Sequence, residues 1–284
     1  VASALTTDDP IPVPFLRDEI IGMAPYVIAE PASTHEKSHD HCLSHIREAA
    51  KAGASAMKFQ WLSSAMALAQ KRHAPDYVEA YQKIAFPYEW HKDLAEYTRK
   101  NNMAYGCSIY LHSDVEPIAP FVDFFKVSSF EASDIALIEW MGIFGKPIYV
   151  SLGMRDDRQC RSMIRQVMRS DIEVPVYFLY CTTGYPVPVE ELNLAVLTSW
   201  IYHGYSDHSA DPTVGARAYA AGARVFEVHT RLEQTPQTNA DYAVSLTYRE
   251  FQAYIHAIHE QRTYFGSNTR TIQPIEDQFK KYKR

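Results

Sequence analysis

From residue 26 onward, short apolar runs that end in polar side chains alternate with longer amphipathic stretches. The runs read as strands at 26–30, 55–60, 103–108, 124–129, 146–154 (apolar up to Ser151), 174–183, 204–208 and 223–229. Between them, apolar residues recur at helical spacing in 39–53, 88–102, 134–145, 189–201, 213–223 and 248–262, the first stretch stopping at Gly53. Continuously apolar strands separated by helices predict a parallel sheet covered on its faces. A count of eight favours an α/β chain closed into a (β/α)8 TIM barrel, although an open doubly wound sheet would share the same periodicity. No glycine-rich GxGxxG or P-loop follows a strand, so nothing points to a nucleotide.

Composition narrows the class without changing the fold. The chain has 284 residues, enough for one such barrel, with 46% hydrophobic and 22% charged residues, as in ordinary globular proteins. No apolar run approaches a membrane span, and a formal charge of −6 argues against a nucleic-acid partner. Cys42, Cys107, Cys160 and Cys181 are widely spaced, so neither a zinc ribbon nor a disulfide framework is expected, and a reducing cytoplasm fits. The first residues lack the basic and apolar regions of a signal peptide. The expected organisation is an extension over 1–23, a barrel over 24–265 and a linker-like, solvated tail over 266–284.

The polar residues fall at or just beyond the carboxyl ends of the strands: Glu30, Lys58, Gln60, Ser108, Lys126, Ser129, Glu131, Ser151, Thr183, Asp207, His208 and His229. In a barrel those ends share one face, where active sites are built. His208 and His229 end neighbouring strands, which lie about 4.8 Å apart, so both imidazoles can reach one divalent ion. Two such ligands leave room for water and substrate, as in a Lewis-acid site, and Mn²⁺ is the expected metal, with Mg²⁺ or Co²⁺ as substitutes. Around a closed ring Glu30 and Gln60 stand next to the last strand, placed to bind the ion or orient its water. A lysine at a strand end is costly to desolvate unless it meets an anion. Lys58 and Lys126, with hydroxyls from Ser108, Ser129, Ser151 and Ser206, therefore suggest a pocket for phosphate and carboxylate. Each serine could equally cap the helix that follows it.

With these residues aligned, the chain resembles the sialic acid synthase family over about residues 24–262. "VIAEPASTHE" is similar to the family's IAEIGxNHxG, "AAKAGASAMKFQ" to AAxxAGADAVKFQ, "FKVSSFE" to FKIxSxE, and "GKPIYVSLGM" to GKPxxxSTGM. "YCTTGYPVPVEELNL", "GYSDHS" and "GARVFEVHTRLEQTPQTNADYAVSL" resemble three further blocks in the same order. The resemblance implies His208 and His229 as metal ligands with Glu30 and Gln60 beside them. It implies Lys58, Ser108, Lys126, Ser129, Ser151, Thr183 and Ser206 around phosphoenolpyruvate, and Glu131, Tyr185 and Asp241 facing an amino-sugar acceptor. The implied reaction joins phosphoenolpyruvate to an open-chain N-acylated sugar, giving a nonulosonic (sialic) acid and phosphate, in a possible homodimer.

Several positions depart from the pattern. Ala32, Thr34 and Lys37 stand where the family has Gly, Asn and Gly, and Leu152, Thr183 and Thr230 also differ. Residues 63–83 show no counterpart of the family's sugar-contacting Asn. The stretch "RTIQPIEDQFKKYKR" resembles the linker into an antifreeze-like domain, so the sequence is expected to represent the barrel without that domain. Two other readings remain: a carbon-carbon lyase or aldolase using Lys58 or Lys126 as a Schiff base, and a catalytically silent barrel that binds a sugar acid or a protein.

Overall fold

The computed structural model describes residues 24–199, 201–266 and 273–282, apart from the side chains of 280–282. Eight parallel strands run in chain order: β1 (Tyr26–Glu30), β2 (Ala56–Gln60), β3 (Ala104–Ser108), β4 (Phe124–Val127), β5 (Ile148–Ser151), β6 (Val176–Tyr180), β7 (Gly204–Asp207) and β8 (Val225–Arg231). β1 also pairs with β8, aligning Glu30 with His229, so the sheet closes and the open-sheet alternative is excluded. A two-residue strand, β9 (Leu246–Thr247), extends the pairing of β8 beyond the ring.

The helices follow local capping chemistry. α1 (His39–Ala52) begins where the Ser38 hydroxyl accepts from the His41 N–H, and ends at Gly53 with φ 93°. It buries Cys42, His45, Ile46 and Ala49, three and four residues apart, against the strands. α2 (Ala65–Lys71), α3 (Val78–Ile84) and α4 (Trp90–Lys100) all lie between β2 and β3. α5 (His112–Ile118), α6 (Ile135–Gly142), α7 (Asp157–Arg169), α8 (Val214–Ala221) and α9 (Tyr248–Phe265) complete the outer layer. The sequence pattern singled out neither α5 nor α7. α7 is nevertheless well specified, by a capping box between Asp156 and Gln159.

The helix expected over 189–201 does not form: two 3-10 turns, Val189–Glu191 and Leu194–Thr198, take its place. Asn193, between them, has φ 47° and ψ 46°, a left-handed conformation that interrupts a right-handed helix. Of the proposed terminal segments, 1–23 lies outside the described residues. Residues Pro274–Tyr282 form a 3-10 turn, exposed over 274–279. All four cysteines are free and buried, and no helix among the described residues is long and apolar enough to cross a membrane.

Two apolar layers place the site. The larger lies between strands and helices. The smaller plugs the barrel interior with Ile28, Ala56, Phe124, Tyr149, Leu179 and Val225. Gly106 makes room for this plug, because a Cβ there would stand 2.1 Å from Cζ of Phe124. Successive inward positions on a strand are two residues apart. Two residues past Ile28, Ala56, Phe124, Tyr149 and Val225 come Glu30, Lys58, Lys126, Ser151 and Glu227, so the same alternation that packs the plug sets a polar layer on top of it.

Candidate active site

The floor of this layer is a buried charge network. Lys58, 1% exposed, places Nζ 2.7 Å from Oε1 of Glu30 and 3.2 Å from Oε1 of Glu227, and donates to the Ser108 hydroxyl at 2.6 Å. Lys126 approaches Oε2 of Glu227 at 3.4 Å and donates to the Val127 carbonyl at 3.0 Å. The Ser206 hydroxyl donates to Oε2 of Glu227 at 2.7 Å. Burial opposes the charge on Lys58, but Glu30 and Glu227 outweigh it and raise its pKa. Burial likewise opposes ionisation of Glu227, and the two lysines with Ser206 hold its carboxyl well below the usual carboxylate range. Two ammonium groups therefore converge on the floor, Lys58 between Glu30 and Glu227 and Lys126 beside Glu227.

Above the lysines lies a set of hydroxyls. The buried Ser151 Oγ and Thr183 Oγ1 have no hydrogen-bond partner, and the Ser129 hydroxyl accepts from the Gly153 N–H at 3.0 Å. A Cβ at Gly153 would lie 2.2 Å from Thr183 Oγ1 and 2.8 Å from Ser129 Oγ, so the missing side chain is what keeps this cradle open. Unpartnered buried hydroxyls beside two ammonium groups suit an anion with several acceptor oxygens.

The imidazoles of His208 and His229 face each other with ring centroids 5.3 Å apart. His208 Nδ1 donates to the Thr182 carbonyl at 3.0 Å and lies 3.7 Å from the Cys181 sulfur, directing Nε2 away from them. Burial disfavours the His208 cation, yet the contact with Cys181 and the Thr182 carbonyl lift its pKa to about 9, so a metal bound there would displace a proton. Burial keeps His229 below its ordinary pKa, its Nδ1 lacks a partner, and its Nε2 stands 3.8 Å from Oε2 of Glu30. The residues fit a divalent ion as an open site. Among the described residues no group of three His, Cys, Asp or Glu side chains is arranged to hold one, so two imidazoles would leave its other positions to water and substrate.

The remaining expected residues line the mouth. Tyr185 lays its ring 4.5 Å from that of His208. Gln60 donates to Oε1 of Glu30 and accepts from the Tyr110 hydroxyl at 2.8 Å. Asp241 accepts from the N–H of Ser33 at 2.9 Å and from its hydroxyl, which ties the loop after β1 to the loop after β8. Glu131 is already engaged by Arg72. Sequence reasoning missed Glu227, Gly153, Tyr110 and Arg72. Glu227 had a legible signal, standing two residues before His229 on one strand and so on the same inward face. Arg72 had none, because its partner lies 59 residues away.

The NeuB family model matches residues 45–270. A pseudaminic acid synthase of Campylobacter jejuni is 28% identical over 259 residues, covering 85% of this chain and 75% of that protein. The mouse (Mus musculus) N-acetylneuraminate-9-phosphate synthase is 26% identical, with 88% and 74% coverage. Among solved structures, the N-acetylneuraminic acid (sialic acid) synthetase of Leptospira borgpetersenii superposes with a TM-score of 0.83 at 22% identity over 92% of this chain and 91% of that one, a likeness of fold.

Proposed function

Since the chain belongs to the NeuB family, we propose that it condenses phosphoenolpyruvate with an open-chain N-acylated sugar to form a nonulosonic acid and phosphate. The observation that carries this reading is the juxtaposition of the Lys58–Lys126 floor and its unpartnered hydroxyls with the His208–His229 pair. Lys58 and Lys126 would hold the phosphate and carboxylate of phosphoenolpyruvate, with Ser108, Ser129, Ser151, Thr183, Ser206 and the Gly153 cradle supplying hydrogen bonds. Tyr185, Asp241 and Glu131 would line the acceptor end.

Carbon 3 of phosphoenolpyruvate attacks the sugar aldehyde, whose oxygen takes up a proton as the carbon-carbon bond forms. Carbon 2, left cationic, accepts a water oxygen, and the water's proton passes to a base. Glu30 suits that role: Oε1 is held by Lys58 and Gln60, leaving Oε2 to orient the water. The resulting tetrahedral carbon expels phosphate and becomes a ketone, its hydroxyl proton passing to the leaving phosphate, while the lysines stabilise the departing charge. A divalent ion, Mn²⁺ for preference, held by His208 and His229 would supply a Lewis acid for the aldehyde oxygen.

The aldolase reading fits less well. A Schiff-base lysine must deprotonate, whereas Lys58 lies between two carboxylates that favour its charged form. The test is phosphate release from phosphoenolpyruvate with Mn²⁺ across N-acylated hexosamines, their 6-phosphates and simple aldoses. Release should require both a sugar and His208, with His208→Ala losing at least about a hundredfold in kcat. Binding of Mn²⁺, followed directly by its paramagnetic signal, should weaken in the same variant. Phosphoenolpyruvate binding without release for any sugar would instead support the silent barrel.

A further inference from the structure

Residues 63–83, which show no counterpart of the family's sugar-contacting Asn, put two consecutive cations across the barrel mouth. Arg72 follows α2 and reaches the loop after β4. Its Nε and Nη2 each lie 2.7 Å from one oxygen of Glu131, a two-point pair in which Glu131 is buried and Arg72 partly exposed. The Ser128 hydroxyl also donates to Glu131, at 2.5 Å. Lys71, beside it, donates to Asp134 at 2.7 Å and to the Tyr110 carbonyl at 2.7 Å. The Arg72 guanidinium is surrounded by aromatic rings, its carbon 4.6 Å from the Phe130 ring centre, 5.2 Å from Tyr110 and 5.3 Å from Tyr81. Tyr110 links this wall to the floor through its hydrogen bond to Gln60.

The wall is thus charge-balanced, each cation matched to a carboxylate, and faced with aromatic surface. An anionic group entering here would be desolvated without a cation of its own, while the Glu131 oxygens are already taken. We infer that Arg72 and Glu131 restrict the acceptor to a sugar whose end remote from the aldehyde is uncharged, excluding phosphorylated acceptors. This rests on the condensation reading above and deepens it. Glu131 sets the specificity by neutralising Arg72, whose other edge is turned to the Tyr81 hydroxyl, 3.5 Å from Nη1.

The experiment compares an N-acylated hexosamine with its 6-phosphate at saturating phosphoenolpyruvate, using the full chain with Mn²⁺. The neutral sugar should have a kcat/KM at least about tenfold higher. In Glu131→Gln, with Arg72 uncompensated, that ratio should fall by about tenfold or invert, while KM for phosphoenolpyruvate stays unchanged. Arg72→Lys, which keeps the charge and loses the two-point geometry, should raise the acceptor KM alone. A wild-type preference for the phosphate ester overturns the inference and leaves the condensation standing, even if neither variant folds. So does a ratio that does not move in a folded Glu131→Gln. Absence of phosphate release with both sugars removes the condensation reading and this inference with it.

Discussion

At the scale of single residues, the site depends on one carboxylate shared by two ammonium groups. Glu227 touches Lys58, Lys126 and Ser206, and no other carboxylate contacts Lys126 among the described ion pairs. Removing one member of a buried network leaves its partners desolvated and uncompensated. Glu227→Gln should therefore lower unfolding free energy by about 3 kcal/mol in urea titrations. An anion on the floor would replace the lost charge, so phosphoenolpyruvate or inorganic phosphate should raise the melting temperature more in this variant than in the wild type. An equal rise in both would show that Glu227 does not neutralise the lysines that meet the ligand.

At the scale of elements, the loop after β1 keeps a backbone that suits glycine without having glycine. Ala32 has φ 47° and Lys37 φ 55°, the two positions at which the family pattern has Gly. Both are left-handed conformations, which Ala and Lys adopt under strain. Such a residue bears about 1–2 kcal/mol, partly offset in glycine by its greater freedom when unfolded. Exposed Lys37 can be exchanged without disturbing packing, so Lys37→Gly should gain about 0.5–1 kcal/mol and Lys37→Ala nothing, as read from denaturant midpoints. Elements were legible where one local rule decided them. Strand ends and helices α1, α4, α6, α8 and α9 came from periodicity, whereas the Asn193 break and the clamp of Arg72 on Glu131 depend on a backbone angle and on a contact between distant units. The candidate site was read from the same rule: a residue at the polar end of an inward strand has few places to point.

At the scale of the molecule, buried histidines couple folding to pH. Burial lowers the pKa of His35 and His203 to about 4 and of His45 and His91 to about 3. Between the ordinary value of 6.5 and these folded values, the unfolded chain binds more protons than the folded one, so stability rises with pH. Their neutral form is fully accommodated above that ordinary value, and stability is lost as the pH falls toward the folded values. His91 donates to or accepts from the Tyr105 hydroxyl at 2.8 Å, a bond that glutamine can reproduce without titrating. His91→Gln should make the loss of unfolding free energy between pH 7 and pH 5 smaller by about 2 kcal/mol, measured from urea midpoints at both values. An unchanged pH dependence would mean that His91 charges freely in the folded state.

The aromatic plug inside the barrel has a consequence for traffic. With Phe124, Tyr149 and Leu179 filling the interior, the polar layer opens only toward the strand ends, and exposure climbs from 1% at Lys58 to 49% at Phe130. The polar layer is closed from below by the plug. On the proposed condensation, phosphoenolpyruvate seated against the lysines would have to arrive before the acceptor occupied the aromatic rim above it, so the architecture would impose a queue on the two substrates.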